Sequence, residues 1–327
     1  MSDNLLLLEN VVRAYTDDAP AVSGVTLNVT GGAKLAIVGE TGSGKSTLLR
    51  LAAGLIPIDS GKIFYHGKQM ESPKDKLIPG QPGIAYLSQH FELPKFISVE
   101  QHLYDPYEMT LEDSEKIYNI CRVAHLLASD TRNLSGGEKQ RVALAKLLMT
   151  SPEILLLDEP FSNLDPIHKR AMKEVIDAMG QEMSQTIVLV SHEPTDVLPW
   201  ADSIVVMKNG QVIQQGEPYM VYNEPVDEYV AGLFGKYNLI NPTNWGLKVN
   251  GGYMSEFGNV IMRPEAFSIS KDGTKGFNGK VLRTFYFGGY EEVEVMVYQE
   301  TLTVRSKGDH LVKGEKVNIS LSPLIHY

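Results

Sequence analysis

The chain has 327 residues, of which 43% are hydrophobic and 21% charged, a composition that excludes a disordered, collagen-like or coiled-coil protein. Its 40 acidic and 30 basic residues give a net charge of −10, which argues against a surface built for nucleic acid or an anionic bilayer. The single cysteine, Cys121, excludes an internal disulfide. Since no stretch approaches the roughly 18 apolar residues that span a bilayer, we expect any membrane-spanning part to belong to another subunit.

The first part of the chain is predicted to be rich in β-structure. Short apolar or alternating runs at residues 5–8, 11–15 and 22–29 are separated by Asp, Pro and Gly. A compact apolar strand at 34–38 then ends on a glycine loop, which leads into a predicted helix at 46–53.

The middle of the chain alternates between predicted helices and strands. Residues 114–127 carry apolar side chains at helical spacing, and a second helix is predicted from Ser135 to about Met149. Fully apolar strands at 154–157 and 186–190 flank a third helix at about 168–180. Because such runs are typical of a parallel sheet covered on both faces, we predict a three-layer α/β domain.

The pattern changes after Gly235. Residues 241–259 are rich in turn-forming side chains, and from Val260 onward the chain is predicted to be β-structure, with Gly288 and Gly289 at a tight turn. Val293, Val295 and Val297 alternate with more polar neighbours, as in a half-buried strand. The sequence therefore predicts a small second domain, either a β-barrel or a sandwich.

A glycine-rich loop follows the strand at 34–38 and matches the pattern G-x-x-x-x-G-K-[ST] in full. Its glycines allow backbone N–H groups to curl around phosphate oxygens at a helix N-terminus. A lysine in this position binds β- and γ-phosphates, and the following hydroxyl, that of Ser46, can ligate Mg²⁺. We therefore predict a polyphosphate site formed by the whole loop, namely Gly39, Glu40, Thr41, Gly42, Ser43, Gly44, Lys45, Ser46 and Thr47.

Two acidic residues end the apolar strand at 154–157. Asp158 and Glu159 lie at the carboxyl end of a predicted parallel strand, where open α/β sheets bind their ligands. Asp158 is predicted to hold Mg²⁺ through water, and Glu159 to orient or deprotonate an attacking water. An ordinary strand-to-turn transition is the alternative interpretation of this pair by itself.

An octapeptide beginning at Leu134, LSGGEKQR, opens the helix that starts at Ser135. Ser135, Gly136 and Gly137 place N–H groups at a helix N-terminus and form a second anion site. Two phosphate sites in one chain are accounted for if two chains share two nucleotides.

These three motifs, in this order and spacing, resemble the ATP-binding cassette family over residues 1 to about 237, most closely the ATPase subunits of bacterial importers. The resemblance implies a P-loop cassette with an antiparallel β subdomain and a helical subdomain at about 90–133. It further implies ATP and Mg²⁺ as cofactors, hydrolysis of ATP to ADP and phosphate, and a homodimer or paired cassettes. Glu138 stands where the family more commonly has Gln, and the helical segment is a few residues shorter than in sugar importers.

The resemblance also assigns roles outside those motifs. Tyr15 matches the aromatic residue that stacks on adenine, and Gln89 the Q-loop glutamine, which would contact the metal and pass the motion of the cassette to transmembrane subunits. Asp165, in Ser-Asn-Leu-Asp, matches the loop that crosses the dimer. His192 matches the switch histidine at the γ-phosphate. Glu159, His192, Lys45 and Gln89 are thus the implied catalytic residues, and Ser46, Gln89 and Asp158 the implied metal ligands.

The C-terminal region, residues 238–327, resembles the small TOBE-like β-barrel of iron(III), polyamine, sulfate, molybdate and maltose importers. Its implied role is regulation or dimerisation, with the segment from Met262 to Glu265 as an opening strand; a generic dimerisation barrel is the alternative. The resemblance implies permease subunits as direct partners, a solute-binding protein as an indirect one, no nucleic acid, and a location on the cytoplasmic face of the cell membrane. An exporter cassette whose C-terminal domain recognises cargo, and a non-transport cassette ATPase, remain alternatives.

Overall fold

The structure is a computed structural model that describes residues 4–16, 19–89, 92–104, 109–245, 258–271, 276–308 and 310–321. The chain divides into two compact units, Met1–Pro218 and Tyr219–Tyr327. This division precedes the sequence-based boundary at 237 because residues 219–236 pack with the second unit. There the buried Arg263 side chain donates hydrogen bonds to the carbonyls of Tyr222 and Ala231, each at 2.9 Å.

The first unit contains ten strands and six α-helices within the described residues. In chain order they are β1 (Asn4–Arg13), β2 (Val22–Thr30), β3 (Lys34–Val38), α1 (Lys45–Ala52), β4 (Ser60–Tyr65), β5 (Lys68–Gln69), β6 (Ile84–Leu87), α2 (Val99–Leu103), α3 (Leu111–Ile120), α4 (Gly136–Leu148), β7 (Ile154–Asp158), α5 (Pro166–Glu182), β8 (Thr186–Ser191), α6 (Pro194–Val197), β9 (Ser203–Lys208) and β10 (Gln211–Gly216).

A six-stranded sheet with the order β10-β9-β3-β8-β7-β6 forms the centre of this unit. All its pairs are parallel except that of the edge strand β10 with β9. Successive residues of the inner strands are buried on both faces, as their unbroken apolar runs predicted. Since Val38 pairs with Ser191 and Asp158 with Val190, the loops after β3, β7 and β8 leave the sheet at one edge.

A second, antiparallel sheet has the order β2-β1-β4-β5 and shares one hydrophobic core with α1 and one face of the central sheet. The sequence predicted two separate runs at 5–8 and 11–15, whereas β1 is one continuous strand. Its register shifts after Glu9, where Asn10 takes a left-handed conformation (φ 47°), so the polar interruption is a β-bulge.

The helical predictions agree with the structure in position, with one correction in length. Helices α4 and α5 cover the predicted segments at 135–149 and 168–180. The helix predicted at 114–127 begins earlier and ends at Ile120, because Arg122 adopts a left-handed conformation (φ 55°) that a helix cannot continue through. A 3₁₀ turn, Ala124–Leu126, follows and buries Val123 and Leu126.

The second unit carries two short helices followed by β-structure. Its elements are α7 (Pro218–Asn223, which begins at the boundary), α8 (Glu228–Leu233), β11 (Asn238–Ile240), β12 (Val260–Met262), β13 (Phe267–Ser270), β14 (Phe277–Tyr286), β15 (Glu291–Val297), β16 (Glu300–Ser306) and β17 (Lys316–Leu321).

Its main sheet is antiparallel, with the order β13-β17-β14-β15-β16. The outer strands β13 and β16 lie within contact distance of each other, so the sheet curls around a core that contains Trp245 and Phe267. Gly288 forms the turn between β14 and β15 with a left-handed backbone (φ 80°), as predicted. Most of the predicted turn-rich segment 241–259 lies outside the described residues.

Two details of the second unit differ from the sequence-based expectation. Strand β12 ends at Met262, and Pro264–Ala266 is a 3₁₀ turn, because Pro264 has no N–H to donate to a ladder. Glu292, placed on the polar side of an alternating strand, is buried and bound to Lys236 at 2.7 Å. Among the residues that the structure describes, no helix is long and apolar enough to cross a membrane.

Candidate nucleotide site

The loop between β3 and α1 is shaped by glycines that no other residue could replace without displacing backbone. Gly39 has φ 156°, and a Cβ there would lie 2.3 Å from the carbonyl oxygen of Met207. Gly44, with φ 102°, precedes α1, and its Cβ would lie 2.0 Å from the carbonyl oxygen of Ala21. The loop is thus clamped against the strand edge while its chain turns into the helix N-terminus, which is the geometry of a phosphate cradle.

Lys45 is buried and folds back over this loop. Its ammonium donates hydrogen bonds to the carbonyls of Gly39 at 2.8 Å and Glu40 at 2.7 Å. Burial lowers the pKa of Lys45, while the charges of Glu159, Asp158 and Glu40 oppose that shift. A phosphate arriving in the loop would therefore exchange weak neutral acceptors for a charged one and restore a favourable environment for the ammonium.

Two groups suited to binding Mg²⁺, the Ser46 hydroxyl and the Asp158 carboxylate, lie at the C-terminal edge of the sheet. The Ser46 hydroxyl donates to Asp158 Oδ1 at 2.8 Å, and the Tyr86 hydroxyl donates to Asp158 Oδ2, also at 2.8 Å. Arg50 Nε lies 3.4 Å from that same tyrosine oxygen. Burial raises the pKa of the Tyr86 phenol, with the Arg50 hydrogen bond opposing it, so the group serves Asp158 as a neutral donor.

This donor set fits a magnesium ion that is also held by phosphate. Oxygen atoms from one hydroxyl and one carboxylate are the ligands that this hard cation prefers, and it normally keeps waters and substrate phosphates as its remaining ligands. Within the described residues, no group of three or more His, Cys, Asp or Glu side chains could hold a metal by itself.

Three side chains meet on one carboxylate oxygen of Glu159. Ser162 Oγ donates to Oε2 at 2.7 Å, Gln89 Nε2 donates to it at 3.2 Å, and His192 Nδ1 lies 3.2 Å away. The backbone at Glu159 is left-handed (φ 50°), a conformation uncommon for a non-glycine residue. Its N–H bonds to the carbonyl of Val190, which ties the acid to the strand before His192. The sequence-predicted Gln89, Glu159 and His192 are thus brought together.

Tyr15 lies just beyond β1 and is 57% exposed. The guanidinium of Arg13 lies 5.1 Å from its ring centroid. The exposed ring is available for stacking, as the sequence-based interpretation requires.

Ser135, Gly136 and Gly137 begin helix α4. Ser135 caps it by accepting from the Glu138 N–H at 3.3 Å, while the Glu138 carboxylate accepts from the Ser135 N–H at 2.8 Å. These reciprocal bonds form a capping box, and the Ser135 N–H lowers the pKa of Glu138. Ser135 and Gly137 both contact the side chain of His168 on α5.

Asp165 caps helix α5 through the N–H groups of Ile167 and His168, at 2.9 and 3.1 Å. The backbone N–H and the ring of His168 hold the pKa of Asp165 below its ordinary value. The Asp165 carboxylate therefore bonds within its own chain. The exposed loop before α5, rather than this carboxylate, is accessible to another chain.

Comparison with known proteins agrees with this geometry. The ABC transporter family model matches residues 22–162. A sulfate/thiosulfate import ATP-binding protein of Synechococcus elongatus is 32% identical over 93% of this chain and 88% of its own length. A spermidine/putrescine import ATP-binding protein of Acetivibrio thermocellus is 29% identical over 99% of this chain and 96% of its own.

A solved structure gives the same result for the fold. The cbiO1 protein of Clostridium perfringens, part of the ABC transporter complex cbiONQ, superposes with a TM-score of 0.58 and 30% identity, covering 67% of this chain and 90% of that one.

The site and fold define a P-loop ATP-binding cassette. The members of the ABC transporter family that carry this cassette are ATPases coupled to transport. The chain belongs to the ATP-binding subunits of ABC transporters.

Sequence reasoning missed Tyr86, Arg50 and His168 as contributors to the site. Tyr86 is 72 residues from the Asp158 carboxylate that it contacts, and His168 is 33 residues from Ser135. Neither belongs to a motif with fixed spacing. The one signal in the sequence was the placement of Tyr86 in the strand that immediately precedes Gln89.

Proposed function

We propose that this chain powers import: it binds and hydrolyses ATP for a membrane transporter that carries solute into the cell. The observation that supports the chemistry best is the convergence of Gln89, Ser162 and His192 on Glu159, at the same sheet edge as the loop that holds Lys45. The inward direction is supported by relatives that are import subunits and that match nearly the whole chain.

The predicted residues then have the following tasks. Lys45 and the loop from Gly39 to Thr47 bind the β- and γ-phosphates, and Tyr15 stacks on the base. Ser46, Asp158 and Gln89 would hold Mg²⁺, which when bound would neutralise phosphate charge. Glu159 accepts the proton of the attacking water, and His192 positions the γ-phosphate.

The complete site needs a second copy of the chain or a paired cassette. The N–H groups of Ser135, Gly136 and Gly137 would cover the triphosphate held by the partner, with the Asp165 loop crossing the interface. Support comes from this helix N-terminus, which begins α4 and contacts α5 through Ser135 and His168. ATP binding would draw the two copies together, and hydrolysis would let them separate.

The cargo is chosen by subunits other than this one. Relatives whose names carry a cationic cargo (spermidine/putrescine) and an anionic one (sulfate/thiosulfate) match this chain to a similar degree over nearly its full length. We also propose that the protein lies on the cytoplasmic face of the membrane, where it contacts permease subunits. Those permease subunits would in turn bind a solute-binding protein. Gln89 and the helical segment after it would transmit the closing motion to those subunits.

The second unit is proposed as a regulatory or dimerisation domain, consistent with its separate core. A fragment that ends near residue 240 should fold and bind ATP, measured by fluorescence of a labelled nucleotide. A fragment that ends at Pro218 is the more stringent control. It lacks residues 219–236 together with the rest of the second unit, against which they pack. If neither fragment folds, the two-domain organisation is wrong.

Reconstitution tests the transport assignment. The full chain, co-purified with its membrane partners and placed in vesicles, should hydrolyse ATP faster when the correct solute and binding protein are inside. Capture of ribosomes or DNA instead of membrane proteins would support a non-transport ATPase. Stimulation by solute on the cassette side alone would support an exporter.

A further inference from the structure

Helix α5 presents a histidine that none of the nucleotide-binding motifs includes. His168 Nδ1 lies 2.5 Å from Asp165 Oδ2, and its Nε2 lies 3.4 Å from Ser135 Oγ. The ring also packs on Gly137, where a Cβ would meet His168 Cδ2 at 2.7 Å. The imidazole therefore joins the loop of Asp165 to the anion site at the start of α4 within one chain.

The partners of the ring fix which nitrogen carries the proton. An ionised carboxylate only accepts hydrogen bonds, so Nδ1 must be the donor to Asp165. In the neutral ring Nε2 is then an acceptor, and the Ser135 hydroxyl must be the donor to it. The Ser135 oxygen meanwhile accepts from the Glu138 N–H at 3.3 Å, so the hydroxyl proton is directed to His168.

A phosphate at Ser135 competes for that same proton. Phosphate oxygens only accept, so the hydroxyl can donate to them only by releasing Nε2. The released nitrogen would then be an unpaired acceptor beside an anion, which is unfavourable. One proton taken from solvent onto Nε2 removes the conflict, because the imidazolium donates to Ser135 Oγ and places a positive charge near the phosphate.

We propose that His168 is a positioning residue that takes up a proton when a triphosphate held by a second copy of the chain binds to Ser135. The inference rests on the shared site described under the proposed function. It adds a pH-dependent step to assembly, in which the imidazolium turns the Ser135 hydroxyl towards the phosphate.

The surroundings of the ring are suited to this role. The His168 side chain is 34% exposed, so its proton can exchange with solvent. Asp165 is the negative group that faces it from the preceding turn, and Glu138 is the nearest acid on α4, already bound to the Ser135 N–H. Lys169, the next residue on α5, is paired with Glu193 and Asp196.

The test compares full-length proteins in a Glu159→Gln background, in which the ATP-bound pair accumulates. ATP-driven association is measured by sedimentation between pH 6 and 8, and proton uptake by calorimetry in buffers of different ionisation enthalpy. The parent should bind at most about one additional proton for each ATP bound. Its association should therefore strengthen, for each nucleotide, by at most about tenfold when the pH is lowered by one unit. His168→Gln and His168→Leu should associate with a smaller pH dependence and lose that uptake.

His66→Gln is the matched control, since His66 forms a comparable ion pair with Glu153 at 2.8 Å, in the turn between β4 and β5. It should behave as the parent does. Equal proton uptake and equal pH dependence in the parent and in both His168 variants would overturn the role of His168 alone. Absence of ATP-driven association in the parent at every pH would overturn the shared site and this inference with it.

Discussion

Replacing Glu159 by Gln separates the chemistry of the carboxylate from its position. The Oε2 atom that accepts from Ser162 at 2.7 Å and Gln89 at 3.2 Å can be substituted by the amide oxygen, which also accepts. The ion pair with His192 is lost, but the side chain keeps its length and its two donors. The variant should therefore bind ATP as well as the parent does.

Turnover should fall by about 10²-fold or more, the usual effect of losing a general base. That factor corresponds to about 2.7 kcal/mol of transition-state free energy. Loss of position would cost less, since one neutral hydrogen bond contributes only about 1 kcal/mol. The two contributions differ enough to be distinguished in a single assay.

Phosphate release gives the turnover rate, and a fluorescent ATP analogue gives the affinity. Glu159→Ala is the control, because it removes the base and also leaves Gln89 and Ser162 without their acceptor. Its turnover should match that of Glu159→Gln within a few fold. If Glu159→Gln instead retains turnover within tenfold of the parent, Glu159 is not the base.

Three further substitutions or treatments test other parts of the site and fold. Gly44→Ala should abolish ATP binding, because its Cβ would lie 2.0 Å from the carbonyl oxygen of Ala21; retained affinity for a fluorescent ATP analogue would contradict the cradle. Tyr86→Phe should keep the fold but raise the Mg²⁺ concentration needed for half-maximal turnover several-fold, since Asp158 loses a 2.8 Å donor; an unchanged titration would refute this. Burial raises the pKa of the Cys121 thiol to about 12, so a thiol reagent at pH 8 should label it only after unfolding, and prompt labelling of the folded protein would refute its burial.

Most of the central sheet could be predicted because its strands are short and apolar throughout. The run from Ile154 to Leu157 is buried on both faces, so its composition alone indicates a parallel interior strand. Strand β1 was harder to predict, since the bulge at Asn10 depends on pairing with β2 and β4 and divides one strand into two apparent runs. The left-handed residue Arg122 that ends α3 has no local sequence signal.

The residues of the site likewise fall into those that a sequence motif predicts and those that depend on long-range packing. Lys45, Asp158 and Glu159 occupy fixed positions after apolar strands, so a motif reveals them. Tyr86 and His168 act through contacts with residues 72 and 33 positions away, and such contacts exist only once the sheet order and the packing of α4 on α5 are known. Gln89 could be located, but its 3.2 Å bond to Glu159 could not.

Helix α5 is bonded to the start of α4 and also to the segment after β8 within one chain. His168 in its first turn contacts Ser135, whereas Lys169 contacts Asp196, four residues after His192, at 3.0 Å. Lys173, one turn further on, adds a second ion pair with the same buried Asp196 at 2.8 Å. Because breaking a buried pair leaves an uncompensated charge, this connection resists local movement. A displacement of the loop at His192 is therefore expected to move α5 as a unit, and with it the start of α4, which we propose covers a partner's triphosphate.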